Sequence, residues 1–85
     1  MGEWRRADLG DVPEVGQAIT LVEFTAGDST VKVWAKMMVE VVLEKAGRVG
    51  IYGATMQTPD RLGEELPGRP EKFNGPKAML WKEYT

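Results

Sequence analysis

Two groups of carboxylates lie close enough in sequence to be considered for chemistry: Asp8, Asp11 and Glu14, and the pair Glu64 and Glu65. Carboxylates held together can act as a general acid/base pair or ligate magnesium. Neither group has the partners such work normally recruits. The chain contains no histidine and no cysteine, which removes the side chain that titrates near neutrality and the commonest transition-metal ligands. Ser29 is the only serine, and a nucleophile there would need a lysine or terminal amine as its base. The carboxylates therefore read as a solvated acidic lead-in and as the exposed side of a short helix.

The stretch GRVGIYG, residues 47–53, has the glycine density of a phosphate loop. It lacks the glycine-lysine-serine/threonine ending, and its spacing fails the dinucleotide pattern. Glycines inside a strand more often mark a bulge or a corner, so Gly50 and Gly53 are expected to relieve crowding where a small sheet curls. The reading is of a non-enzyme, with no catalytic residue, cofactor or metal.

Binding chemistry has more candidates. Lys32, Trp34, Lys36, Arg48 and Tyr52 interleave cations with aromatic rings, the combination that stacks bases and contacts phosphates in single-strand nucleic-acid binders. Glu23, Glu40 and Glu44 share that face and would neutralise it. The overall balance, 11 lysines and arginines against 13 acids for a net −2, also argues against nucleic acid as the partner. The second set lies in the proline- and glycine-rich stretch 57–76, where Arg61, Arg69, Lys72 and Phe73 offer cations and a ring around exposed backbone. Long loops in small domains commonly carry function. Together with Trp34 and Tyr52, these residues form the expected site for a partner protein or a small anionic ligand.

The elements that must hold these residues follow from the pattern. Residues 1–16 show no clean period and read as an irregular lead-in, which also holds the acidic excess. QAITLVEFT, 17–25, is β-branched and aromatic and reads as a strand. VKVWAKMMVEVVLEK, 31–45, is ambiguous: the helix reading, spanning 29–46 in a βαβ unit, competes with a long strand. Its neighbours favour the strand. A Gly27-Asp28 hairpin would place Phe24 opposite Val31, Glu23 opposite Lys32 and Val22 opposite Val33. A three-residue loop with a left-handed Gly47 would place Glu44 opposite Arg48, Leu43 opposite Val49, Val41 opposite Ile51 and Glu40 opposite Tyr52. Both registers bring Val31, Val33, Ala35, Met37, Val39, Val41 and Leu43 to one apolar face. Fifteen residues exceed the usual strand length, so a bend or bulge is expected near Met37-Met38.

After a third strand at 48–57, TPDRLGEEL could hold a short helix capped by Thr58, with loop to 76 and a closing strand in 77–85. The expectation is one domain of 85 residues, mainly β: an antiparallel meander over 17–56 built as a small barrel or half-barrel with a long bent central strand. A chain this small often self-associates, so a homodimer is expected. With no signal peptide or membrane span, a cytoplasmic location is expected. The functional expectation is a small non-enzymatic binding protein. The alternatives are a single-stranded nucleic-acid-binding barrel and an assembly subunit of a phage or mobile element.

Overall fold

A computed structural model of the chain describes residues 3–26, 31–57, 66–73 and 75–84. Five strands form one antiparallel sheet: β1 (Arg5–Arg6), β2 (Ala18–Thr25), β3 (Val31–Lys45), β4 (Arg48–Gln57) and β5 (Lys77–Glu83), in the order β1-β5-β2-β3-β4. The meander is present as expected, and residues 31–45 are strand, which removes the helical alternative. The lead-in is not wholly irregular, because it contains β1 and a 3-10 turn at Ala7–Leu9. The helix expected over 58–66 and the Gly27-Asp28 turn lie outside the described residues, Leu66 excepted.

The sheet is curled but not closed, so the full-barrel expectation is corrected to an open, half-barrel form. Both expected registers are also corrected, the first by a bulge in β3 and the second by the length of the closing turn. Phe24 does pair with Val31, but Glu23 then pairs with Val33 and Val22 with Trp34, leaving Lys32 as an extra residue. Further along, Val39 pairs with Gly53 and Val41 with Tyr52, leaving Glu40 extra. A third irregularity, between Lys36 and Met37, falls where the bend was expected. The closing turn has only two residues, Ala46 and Gly47, both left-handed at φ 53 and 75, so Lys45 pairs directly with Arg48. These are the signs of a type I′ hairpin, whose twist suits the flanking strands.

Each bulge reverses the side of the sheet to which following residues point. The continuous apolar face expected from Val31 to Leu43 therefore does not exist. Ala35, Met37 and Val39 share the concave face with Ile19 and Leu21, and after Glu40 the residues on that face are Val42 and Glu44. Val33, Val41 and Leu43 are exposed, whereas Trp34 and Lys36 are buried.

Two apolar clusters result, one on each side of the sheet. The concave cluster joins Ile19, Leu21, Met37, Val39, Ile51, Met79 and Trp81, with Ala7 and Val12 of the lead-in packed over it. The opposite cluster joins Val22, Phe24, Trp34, Ala78 and Leu80, covered by Trp4, Leu66 and Phe73. The lead-in and the returning 66–73 segment thus cover the two faces of a sheet too small to bury itself. Full burial of a side chain such as Phe24 contributes about 1.5–3 kcal/mol, and β2, which supplies residues to both clusters, is paired on both edges. It is the centre of the fold.

Candidate functional site

The curl of the sheet brings β4 into contact with the 3-10 turn, but no backbone pairing joins β4 to β5. Between them lies a groove of about 640 Å³. One wall is the β3–β4 hairpin, with Leu43, Lys45 and the stretch from Ala46 to Gly50 and Tyr52. The other is the start of β5, from Gly75 to Met79, with Asp8 beside it. The volume falls in the range typical of ligand pockets.

Sequence and geometry explain both walls. In a two-residue hairpin the flanking pair, here Lys45 and Arg48, exchanges its backbone bonds across the hairpin. Alternation then points the N–H and C=O of Val49 and Ile51 outward, away from β3. On the opposite wall β1 pairs only with Trp81 and Leu80. The Met79 N–H, which points away from β2, donates instead to Asp8 Oδ1 at 3.1 Å. By the same alternation the backbone groups of Lys77 face the groove. Two strand edges therefore look at one another across the gap.

The electrostatics are uneven. The Asp8 carboxylate is occupied by Arg6, which donates from Nε at 2.9 Å and Nη2 at 2.7 Å. Burial pushes the Asp8 pKa up, but the Arg6 hydrogen bond and the Met79 N–H outweigh it, and the net displacement is below the ordinary carboxylate value. The same hydrogen bond raises Arg6. Lys77 reaches Glu23 at 3.6 Å. Lys45 and Arg48, both exposed, have no ion-pair partner among the described residues. The lip of the groove is thus cationic, and its floor is apolar through Val49 and Met79.

The residues expected to bind are dispersed. Trp34 is only 7% exposed, at the centre of the convex cluster. Lys36, 8% exposed, lays its ammonium 4.6 Å from the Tyr84 ring centre. Neither presents a surface for a base to stack on. Lys32 is exposed at its bulge, far along β3 from Arg48. Phe73 packs against the convex cluster, with Arg69 5.8 Å from its ring centre, and Arg69 and Lys72 are exposed. Arg61, Ser29, Glu64 and Glu65 lie outside the described residues. Of the expected set, the groove takes only Tyr52 and Arg48.

Asp8 is not the solvated carboxylate that the lead-in suggested, because its Arg6 and Met79 contacts leave the side chain 8% exposed. Lys45 was not singled out from the sequence, although the signal was present. Read as a two-residue loop, Ala46-Gly47 places Lys45 and Arg48 side by side. Among the described residues no three histidine, cysteine, aspartate or glutamate side chains converge as a metal site, and no helix is long and apolar enough to cross a membrane. Comparison with protein-family models, with curated proteins and with solved structures finds no match.

Proposed function

We propose that the protein is a non-enzymatic binding protein whose ligand lies in the groove between β4 and β5, and that this ligand is anionic: an acidic segment of a partner protein or a small anion. The observation that carries this reading is the pair Lys45 and Arg48, exposed and with no ion-pair partner among the described residues, at the lip of an apolar-floored groove. A desolvated carboxylate there gains charge-assisted hydrogen bonds, and the apolar floor accepts a short aliphatic group. The site moves from the 57–76 loop to the hairpin because Phe73, the one ring of that loop, is engaged in packing. A cytoplasmic location belongs to the same proposal.

The test is a titration with succinate and with a short glutamate-containing peptide, followed by amide chemical shifts. Shifts centred on Gly47–Gly50 and Lys77–Met79, and lost in the K45E/R48E double variant, are the expected result. Shifts that are scattered over the surface, or that survive the double reversal, would overturn the reading.

A second reading has its own observation. Met38, Val41, Leu43 and Tyr52 are all exposed, at 37%, 42%, 55% and 57%, on the convex side of β3 and β4. Grouped apolar exposure of this kind marks association surfaces, which supports the expected homodimer. Sedimentation at tens of micromolar checks it, and a monomer throughout would exclude it.

A further inference from the structure

The groove has a property that a simple anion pocket does not need. Both of its long walls are strand edges, and both present backbone groups to it. β4 is terminal in the sheet order, and among the described residues nothing pairs with its outer edge. The first residues of β5 extend past the end of β1, with Asp8 satisfying only the Met79 N–H.

We infer that the groove takes its ligand as an added β strand: an extended segment of a partner protein, with acidic and apolar residues in alternation, pairs with the outer edge of β4. This rests on the proposed anion-binding function of the same groove and specifies its partner. Strand addition draws affinity from main-chain hydrogen bonds and specificity from alternate side chains. Here the outward N–H and C=O groups of Val49 and Ile51 supply the former. For the latter, the hairpin register puts Lys45, Arg48 and Tyr52 on the convex side and Val49 and Ile51 on the concave side. Because side chains of a strand alternate between faces, a paired segment would turn every second residue toward the two cations and the others toward Val49 and Met79. Charge selects acids for the first set, and the concave cluster selects aliphatic residues for the second. β4 itself, RVGIYGATMQ, carries no acid and one arginine. A second copy pairing through the same edge would therefore leave Lys45 and Arg48 unanswered, and the acidic peptide is the better match. The five residues Arg48–Tyr52 that flank the groove set the recognition length, roughly 16 Å of strand at about 3.3 Å per residue.

The experiment uses the full chain and three peptides: acetyl-Glu-Val-Glu-Val-Glu-amide, the same sequence N-methylated at both valines, and the same sequence N-methylated at the glutamates, the last two covering either pairing phase. Succinate serves as the small-anion control. Binding is read by fluorescence titration, and amide hydrogen exchange reports Val49 and Ile51. The expected result is that the parent peptide slows exchange at Val49 and Ile51 at least tenfold, and that one of the N-methylated forms binds at least tenfold more weakly while the other retains binding. Equal binding by all three peptides and no protection at Val49 and Ile51 would overturn strand addition, while loss of that binding in K45E/R48E would leave the anion-binding proposal standing. No binding by any peptide or by succinate at millimolar concentration overturns both. Protection of Val49 and Ile51 that grows with protein concentration, without peptide, would assign the edge to a second copy instead. Val49→Pro, which removes an outward donor without touching the β3 ladder, should weaken the parent peptide at least tenfold.

Discussion

Gly53 sits so close to the Met38 carbonyl that a Cβ at this position would overlap the oxygen and crowd the Val39 Cα. The contact is made where Glu40 bulges out of β3 and Val39 pairs with Gly53. The bulge turns β3, and the absent side chain lets the two backbones approach at the turn. A glycine in a strand interior ordinarily weakens it. At this point any other residue would block the curl that forms the groove.

Gly53→Ala is therefore expected to destabilise the fold by on the order of 2 kcal/mol, the usual scale for overpacking against atoms that cannot yield. Gly50→Ala is the control. The nearest atoms its Cβ would meet belong to the ring of Tyr52, an exposed side chain that can swing aside, and the cost should stay below about 1 kcal/mol. Urea unfolding of both variants checks the contrast. Equal midpoints would show that the Gly53 approach is not needed.

The Asp8 carboxylate ties the lead-in to β5 through Arg6 and the Met79 N–H. Its folded pKa lies below the ordinary value, so folding favours the ionised form. The stability it contributes is complete above the unfolded pKa, about 3.9, and is lost as pH falls through the folded value. Wild-type stability should therefore drop below about pH 4, with Asp8 contributing to the fall. Asp8→Asn should lower stability at pH 7 by on the order of 2 kcal/mol, the scale for charge-assisted hydrogen bonds, and should flatten the acid limb. Denaturant midpoints at pH 7 and pH 3 measure both effects, and an acid limb unchanged in the variant would exclude Asp8 as a source.

Strand existence was legible from residue types, and strand register was not. The β-branched and aromatic content of 17–25 and 48–57 and the length of 31–45 were enough to predict the meander. The register depended on two single-residue insertions, at Lys32 and Glu40, and on whether the second loop held two residues or three. Bulges are stabilised by distant close approaches, such as Gly53 to Met38, which no local pattern in β3 announces. Because strand side chains have a period of two, one extra residue sends every later side chain to the other face. That is why Val31 joined the face of Phe24 and Trp34 and why Val41 and Leu43 left the face of Met37 and Val39; Trp34 kept its expected face and is buried because Trp4, Leu66 and Phe73 cover it. The candidate site failed for a different reason: the face of Trp34 and Lys36 is covered by the lead-in, the 66–73 segment and Tyr84. The groove depends instead on where the hairpin tip meets β5, a tertiary fact.

Trp81 is 1% exposed and its indole N–H donates to the Asp11 carbonyl at 2.6 Å, while Arg5 lies 5.1 Å from its ring centre. One side chain thus anchors the lead-in to the floor of the concave cluster. Trp81→Phe keeps a ring but removes the donor and leaves a void. The expected loss is on the order of 2 kcal/mol, from the hydrogen bond and the unfilled volume together. Exchange at the amides of residues 7–12 should also rise more than at β2, because the lead-in loses its anchor before the sheet does. Uniform acceleration across the chain would mean that the lead-in and the sheet unfold as one unit.

The Ala46-Gly47 turn offers a prediction of the opposite sign. Ala46 holds φ at 53, a left-handed value that costs a Cβ-bearing residue on the order of 1 kcal/mol. Type I′ turns prefer asparagine followed by glycine, because asparagine enters this region more easily. The following Gly47, at φ 75, already satisfies the second position. Ala46→Asn is therefore expected to stabilise the protein by about 0.5–1 kcal/mol, measured as a raised urea midpoint with an unchanged slope. Gly47→Ala, which adds the same penalty at the second position, should lower it by about 1 kcal/mol. If the loop instead had three residues with Ala46 right-handed, asparagine would give no gain. A stabilised Ala46→Asn chain also tests the groove, because the same turn fixes the spacing of Lys45 and Arg48: ligand affinity should be retained or improved in that variant, and reduced in Gly47→Ala.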